Sequence, residues 1–543
     1  MSVASPPFAP SADRRNALDR AHRGDIEGAL GTVRSHDTGP RLTLRRKLLP
    51  LLGVIGPGLV VMIADNDAGT ISVFSQAGHD HGLAVLWVLA ILCPGLYITQ
   101  EMVARLGAVT GCGHARLTLE RFGRLWCAFS LADLLILNFA MLVTEFIGVT
   151  LALGYFGISP PVAVGLSAPL LIAATCSGSF RRWERAMGLM ILADLALVPL
   201  AIGASGAWHG GAGGGIVRPV TGSGPGGMAL LAVALIGTTI APWQLFFHQS
   251  SVVDKRITPR WLRYERIDTG IGAVLFGLCA AAALAIGVIV AGPLHGPFTD
   301  VGVVARALSS HVSPAAGAVF AIALFNASLL AAGAVSLSGS YAVSEVVGVR
   351  HSLHRSFGEA RVFHGSFAAL VAIAAATVLI PGLPRGAVIT LVQALTGILL
   401  PSTLILLLLL CNDRDLLGPM RNGRRLNLVA GSAIFLILGL STLLAVTTAL
   451  PRLKLAEALI LTGVLLSAGG VPLAVAGLRS RRRRSPEESL TPWQRLTWSS
   501  PPLELIRRPA RTSPRVIALV LIRVYVLVVV GLLAIRLGHP PLG

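Results

Sequence analysis

The strongest constraint in the chain is a series of apolar runs, repeating from about residue 48 to residue 477, many of them long enough to cross a bilayer. A helix needs about 20 such residues to span hydrocarbon. Twelve spans read as 48–79, 83–106, 125–155, 160–178, 186–207, 227–252, 267–291, 314–347, 363–381, 386–411, 427–449 and 456–477. Charged residues make up only 13% of the chain against 54% hydrophobic, too little polar surface to cover a soluble fold of this size. The expectation is an all-α polytopic membrane protein of 12–13 segments. The last of these, at 516–535, is interrupted by Arg523. An arginine at mid-membrane is costly, so this stretch reads either as a span packed on the protein or as an interfacial helix.

A net charge of +19 raises the question of nucleic acid, and the placement of the charge answers it. The loops after even-numbered spans hold nineteen Arg and Lys residues, and the opposite loops hold five. That asymmetry is the positive-inside pattern. It predicts a multi-pass cell-membrane protein with a cytoplasmic N-terminus, partnered by the bilayer and not by nucleic acid; it does not fix the oligomeric state, for which a monomer is plausible. Residues 1–46 are polar and read as a disordered cytoplasmic tail. A transporter-like core follows at 47–411, with candidate repeats at 47–207 and 227–411. Extra membrane helices occupy 427–478, a basic Pro/Ser-rich linker 479–514, and the possible final helix 515–543. The six cysteines form no CxxC pair and read as small packing residues.

Two spans are not ordinary helices. Span one carries Asp65, Asn66, Asp67, Ala68, Gly69 and Thr70 at its middle, and two carboxylates at that depth must face protein, water or an ion. Gly69 is placed where a helix could unwind cheaply, with Asn66 as a candidate cap for the second half. Span six carries Pro242, which cannot donate a helical hydrogen bond and crowds the carbonyl near Thr238. Spans one and six open two successive five-helix sets, and an odd number inverts the second set. Interrupted helices at matching positions of inverted repeats point to a midplane binding site in secondary transporters. Freed carbonyls beside a carboxylate suit a hard cation.

The residues then resemble the NRAMP family of divalent-metal transporters. Gly56 to Gly78 match its first helix, with GPG at the start, Asp-x-Gly at the break and Gln76-Ala77-Gly78 at the end. Span six matches through Gly237, Thr239, Ala241, Pro242, Trp243, Gln244, Leu245 and His248. Glu145-Phe146 lies in span three, Glu345 in span eight, and Gln393 and Pro401 in span ten. The resemblance implies a LeuT-type fold of five plus five inverted helices, and secondary transport of the metal as cargo with no cofactor. It places the ion at Asp67 and Thr70, the carbonyls of Ala64 and Thr238, and the Ala241 position, with Asp65 and Gln244 beside them. Glu145, His248, Trp243 and Gln393 fall at proton or gating positions.

The departures carry their own reading. The family's Pro is Ala68, its Asn is Thr70 and its Met is Ala241. A thioether favours transition metals, and an all-oxygen site with room for water suits Mg²⁺, which keeps several waters. The chain therefore looks most like the NRAMP-related magnesium-transporter branch, with Mn²⁺ also accepted. A family His is Trp243 and a family Asp is Leu142, which predicts flux without proton coupling. Competing readings are a proton-coupled Mn²⁺/Fe²⁺ importer, and a transport-dead signalling or scaffold protein of the same fold. An amino-acid carrier of the same fold is disfavoured because the acid pair would repel the substrate carboxylate, and no nucleophile–base pair or phosphate loop suggests an enzyme.

Overall fold

The computed structural model describes residues 22, 24–35, 44–207, 225–292, 294, 298–450, 453–454, 456–467, 498–506 and 515–525. The basic run at 481–484, most of the linker and residues 526–543 lie outside that set. The chain begins with a two-stranded antiparallel hairpin, β1 (Ile26–Glu27) and β2 (Thr32–Val33), Ile26 facing Val33. This corrects the expectation of a disordered tail for residues 24–35. Ile26 and Val33 are buried against Val54, Trp261 and Leu262. Gly28 and Gly53 bring two backbones together: a Cβ on Gly28 would lie 2.3 Å from the Gly53 carbonyl.

The helices are α1 (Leu44–Val54), α2 (Pro57–Ala64), α3 (Ala68–His81), α4 (Leu86–Thr110), α5 (His114–Phe122), α6 (Arg124–Tyr155), α7 (Pro160–Thr175), α8 (Phe180–Asp194) and α9 (Leu197–Ala204). They continue with α10 (Pro225–Thr239), α11 (Pro242–Asp254), α12 (Leu262–Val290), α13 (Gly302–His311), α14 (Pro314–Val347), α15 (Arg361–Val378), α16 (Arg385–Cys411), α17 (Arg414–Leu417) and α18 (Arg424–Ala449). Among the described residues nine helices are long and apolar enough to cross a membrane. The broken first span and the shorter Pro160–Thr175 and Ala456–Ser467 helices bring the described set to the twelve expected positions.

Small residues let the repeats interlock. A Cβ on Gly78 would lie 2.0 Å from the Leu284 carbonyl, and one on Gly287 would lie 2.0 Å from the Ser75 carbonyl. Helices α3 and α12 therefore touch backbone to backbone, the close approach that packs helices where no hydrophobic force drives association. Gly237 of α10 meets the Gln393 carbonyl and Gly397 of α16 in the same way, at 2.0 and 2.5 Å from its would-be Cβ. This is the packing role of the QAG and Gly237 positions.

Pro401 inside α16 leaves the Gly397 carbonyl without its helical donor. Ser441 Oγ of α18 donates to that oxygen at 3.1 Å. Tyr525 of the C-terminal helix (515–525) donates to the neighbouring Ile398 carbonyl at 2.6 Å. At its other end that helix has Arg515 donating to the Arg121 carbonyl at 3.1 Å, and Arg523 lies 4.9 Å from the Trp126 ring centre. Between Arg515 and Tyr525 the helix runs from the arginine-rich face toward the middle of α16. The mid-stretch arginine is answered by an aromatic face.

Candidate functional site

Both expected breaks are present, and each half-helix end is held by identifiable groups. Asp268 Oδ2 of α12 accepts from the backbone N–H of Gly56 (3.0 Å), Gly58 (2.8 Å) and Leu59 (3.3 Å). A carboxylate at the N-terminus of α2 satisfies its orphan donors and its dipole. Gly56 takes a φ of 150° with Glu184 directly behind it, so the GPG motif needs this glycine.

Helix α2 stops at Ala64, and Asp65–Asp67 are non-helical. Two expectations are corrected here. Asp67, not Asn66, is the N-cap of α3: its Oδ1 accepts from Thr70 N at 2.7 Å. Gly69 lies inside the first turn of α3 and does not unwind. Its missing Cβ makes room for Gln393, whose Nε2 would lie 1.7 Å from it. The Gly69→Ala variant should therefore push the Gln393 amide away and lower metal flux. Adding Gln393→Ala should recover part of that loss, a coupling of about 0.5–3 kcal/mol if the two share the space; uptake rates of the three variants check it.

Thr70 ties the two breaks together. Its hydroxyl lies 2.5 Å from the Asp65 carbonyl, 3.0 Å from the Thr238 carbonyl and 2.6 Å from Thr238 Oγ1. The Thr238 oxygen is the one that the proline at 242 crowds, so the hydroxyl meets the freed carbonyl. Across the site Glu145 Oε2 accepts from Ala68 N at 3.2 Å, and Oε1 accepts from Thr144 at 3.2 Å. Ala241 is extended and begins α11.

Several buried polar atoms at the breaks have no protein partner: both oxygens of Asp65, both amide atoms of Asn66 and Gln393, Asp67 Oδ2, Gln244 Nε2 and Trp243 Nε1. Buried carboxylate oxygens are ordinarily satisfied, and here they converge at two interrupted helices. Among the described residues no group of three or more His, Cys, Asp or Glu side chains could hold a metal. An ion at this place would need peptide, amide and water oxygens to complete its shell, as hard cations accept.

A second polar chain leads away from the break. Ala241 N donates to Gln244 Oε1 (3.1 Å), which also accepts from Gln100 Nε2 (3.2 Å). The Gln100 oxygen therefore faces His248 Nδ1 at 2.9 Å, and Nδ1 must be the donor. His248 Nε2 then meets Glu265 Oε1 at 2.9 Å. Two acceptors would face each other unless a further proton sits between them, so this pair holds one. Glu265 was missed because span seven was expected to start at 267 and the arginines before it read as loop; Gln100 and Asp268 lay inside expected spans but passed as single polar residues. The buried positions Glu265, Asp268, Gly272 and Phe276, three or four apart, were the available signal. The Lys255–Glu184 ion pair at 2.5 Å, wholly buried, was also not foreseen.

Comparison with known proteins fits this geometry. The profile described as natural resistance-associated macrophage protein-like (Nramp) matches residues 58–447. The divalent metal cation transporter MntH of Burkholderia ambifaria is 28% identical over 79% of this chain and 95% of its own length. Among solved structures, a variant of the Eremococcus coleocola manganese transporter superposes with a TM-score of 0.58 at 20% identity, covering 83% of this chain and 96% of that one. Mhp1, a nucleobase-cation-symport-1 family transporter, gives 0.50 at 14% identity, over 89% and 100% of the two chains. These neighbours share the LeuT-type fold. With both breaks in place and the profile running through all ten core spans, the chain belongs to the Nramp family of divalent-metal-cation membrane transporters and is not an enzyme.

Proposed function

We propose that the chain carries a hard, oxygen-liganded dication, Mn²⁺ with Mg²⁺ as a competing substrate, through the two helix breaks by alternating access. The observation that carries this reading is the set of unpartnered buried carboxylate oxygens of Asp65 and Asp67 at the first break, which Thr70 ties to Thr238 at the second, with no sulfur at Ala241. Asp67 is the charged ligand, through the oxygen not used as a cap. The carbonyls of Ala64 and Thr238 and the amide of Gln244 add neutral oxygens, directly or through water. Mn²⁺ is supported by the solved relative being a manganese transporter; Mg²⁺ is supported by the absent thioether. The arginine-rich face is taken as cytoplasmic, which places the N-terminus inside.

Uptake of Mn²⁺ into proteoliposomes should fall in proportion as millimolar Mg²⁺ is added. Uptake indifferent to Mg²⁺ would sink the shared-site reading. Ala241→Met supplies a soft ligand and should restore preference for transition metals, seen as at least about tenfold weaker Mg²⁺ inhibition of Mn²⁺ uptake.

A second reading, metal flux coupled to protons and extending to Fe²⁺, is favoured by the proton held between His248 and Glu265. The uncoupled reading is favoured by Leu142 and Trp243, neither of which can carry one. Internal pH during Mn²⁺ uptake at zero membrane potential separates them: acidification tracking uptake supports coupling, and constant pH supports uncoupled flux.

A further inference from the structure

We propose that a notch on the arginine-rich face, away from the metal path, binds the phosphate group of an anionic membrane lipid. The notch is a cavity of about 390 Å³ between the end of α4, the start of α12 and the segment 419–421. It is lined by Arg105, Arg263, Arg266 and Arg421, with Pro259, Leu262, Pro419 and Met420 as apolar walls.

Three features favour a lipid. First, the charge is one-sided and preorganised. Arg105 is buried and locked: it donates to the Met420 carbonyl and to Asn422 Oδ1 (2.6 Å), and its Nε lies 3.3 Å from Glu101. Arg266 gives Nε and one terminal nitrogen to the same Glu101 oxygen, at 3.0 and 2.8 Å. A guanidinium has five N–H donors, so Arg266 keeps others for a ligand. Four guanidinium groups line the notch, and the adjoining Glu101 carboxylate contacts two of them, Arg105 and Arg266.

Second, the depth is that of a headgroup. Ile267, Ile271, Val274 and Leu278 form an exposed apolar stripe along α12, at the spacing of one helix face. The next position on that stripe, one turn toward the arginine-rich face, is the exposed Arg263. A phosphate held by Arg263 would leave its acyl chains lying along the stripe. Third, the walls contribute no acid and four apolar residues, which suits a phosphodiester with a glycerol backbone. Basic pockets at this level of a helix bundle bind such headgroups. The occupant would brace the start of α12, which carries Glu265 and Asp268.

A free phosphate would meet the same guanidinium groups, so the test separates the sources. Full-length protein in detergent is exchanged into phosphatidylglycerol or phosphatidylcholine, and retained lipid is counted by native mass spectrometry, with and without inorganic phosphate. Each arginine near a lipid phosphate is worth about 1 kcal/mol, or about fivefold. Phosphatidylglycerol retention should thus fall about fivefold in Arg263→Gln and about 30-fold in Arg263→Gln with Arg421→Gln. Arg260→Gln, outside the notch with its guanidinium over Trp261, should leave it unchanged, and all variants should keep the parent melting point. Equal losses in Arg260→Gln and Arg263→Gln would overturn the site in favour of diffuse charge. Displacement of the lipid by millimolar phosphate would overturn the lipid as its ligand.

Discussion

Asp67→Asn is expected to weaken Mn²⁺ binding by at least about 100-fold while leaving the protein folded. The charged ligand count is what sets affinity at an oxygen site, and this change removes one charge without altering shape. The amide oxygen can still accept from Thr70 N, so the start of α3 keeps its cap. Asp67→Ala removes ligand and cap together and should lose a further ~1 kcal/mol of stability. Calorimetry gives the affinities and thermal unfolding the stabilities. If Asp67→Asn bound Mn²⁺ like the parent, Asp67 would be a cap alone and Asp65 the ligand. Asp65 accepts no hydrogen bond on either oxygen in the structure, so Asp65→Asn is the informative partner variant.

The second large effect is expected at Glu184, far from the metal path. Its Oε1 lies 2.5 Å from Lys255 Nζ, and its Oε2 accepts from Ala29 N of the hairpin at 2.5 Å. Lys255 also donates to the Ile55 carbonyl at 2.7 Å, just before the start of α2. One carboxylate thus joins the hairpin, the entrance to α2 and the end of α11. Truncating one partner of a buried ion pair costs about 3–5 kcal/mol, because the other charge is left unpaired. Glu184→Ala should therefore lower the melting temperature markedly and expose residues 24–35 to protease. Glu184→Gln keeps an acceptor for Ala29 and should do less. An unchanged melting point with a protected hairpin would mean that Lys255 finds another partner at no cost.

Much of this was legible from sequence, for physical reasons. Aspartates and a proline at bilayer depth have few solutions, so the breaks at Asp65–Asp67 and before Pro242 were readable. Span number followed from apolar length alone. What escaped notice depends on contacts distant in the chain. That Asp67 rather than Asn66 caps α3 is decided by one residue of register. That Gly69 is kept free for Gln393 involves a partner 324 positions away. The hairpin at 26–33 is four strand residues in a polar segment, and only burial against α1 and Trp261 makes it structure. Glu265 was hidden because its arginine neighbours on the other face made the turn look like loop, and Asp268, one residue inside the expected span, has its role only through contacts with Gly56 and Gly58 more than 200 positions away.

The proline inside α16 has a practical corollary. The Gly397 carbonyl that it leaves bare is answered by Ser441, and the next carbonyl, Ile398, accepts from Tyr525, both on helices that lie outside the repeats. The appended tail thereby helps hold α16, and a shortened expression product ending near residue 510 would lose the Tyr525 bond to the Ile398 carbonyl. Trimming the terminus to improve yield would loosen the hold on the helix that carries Gln393.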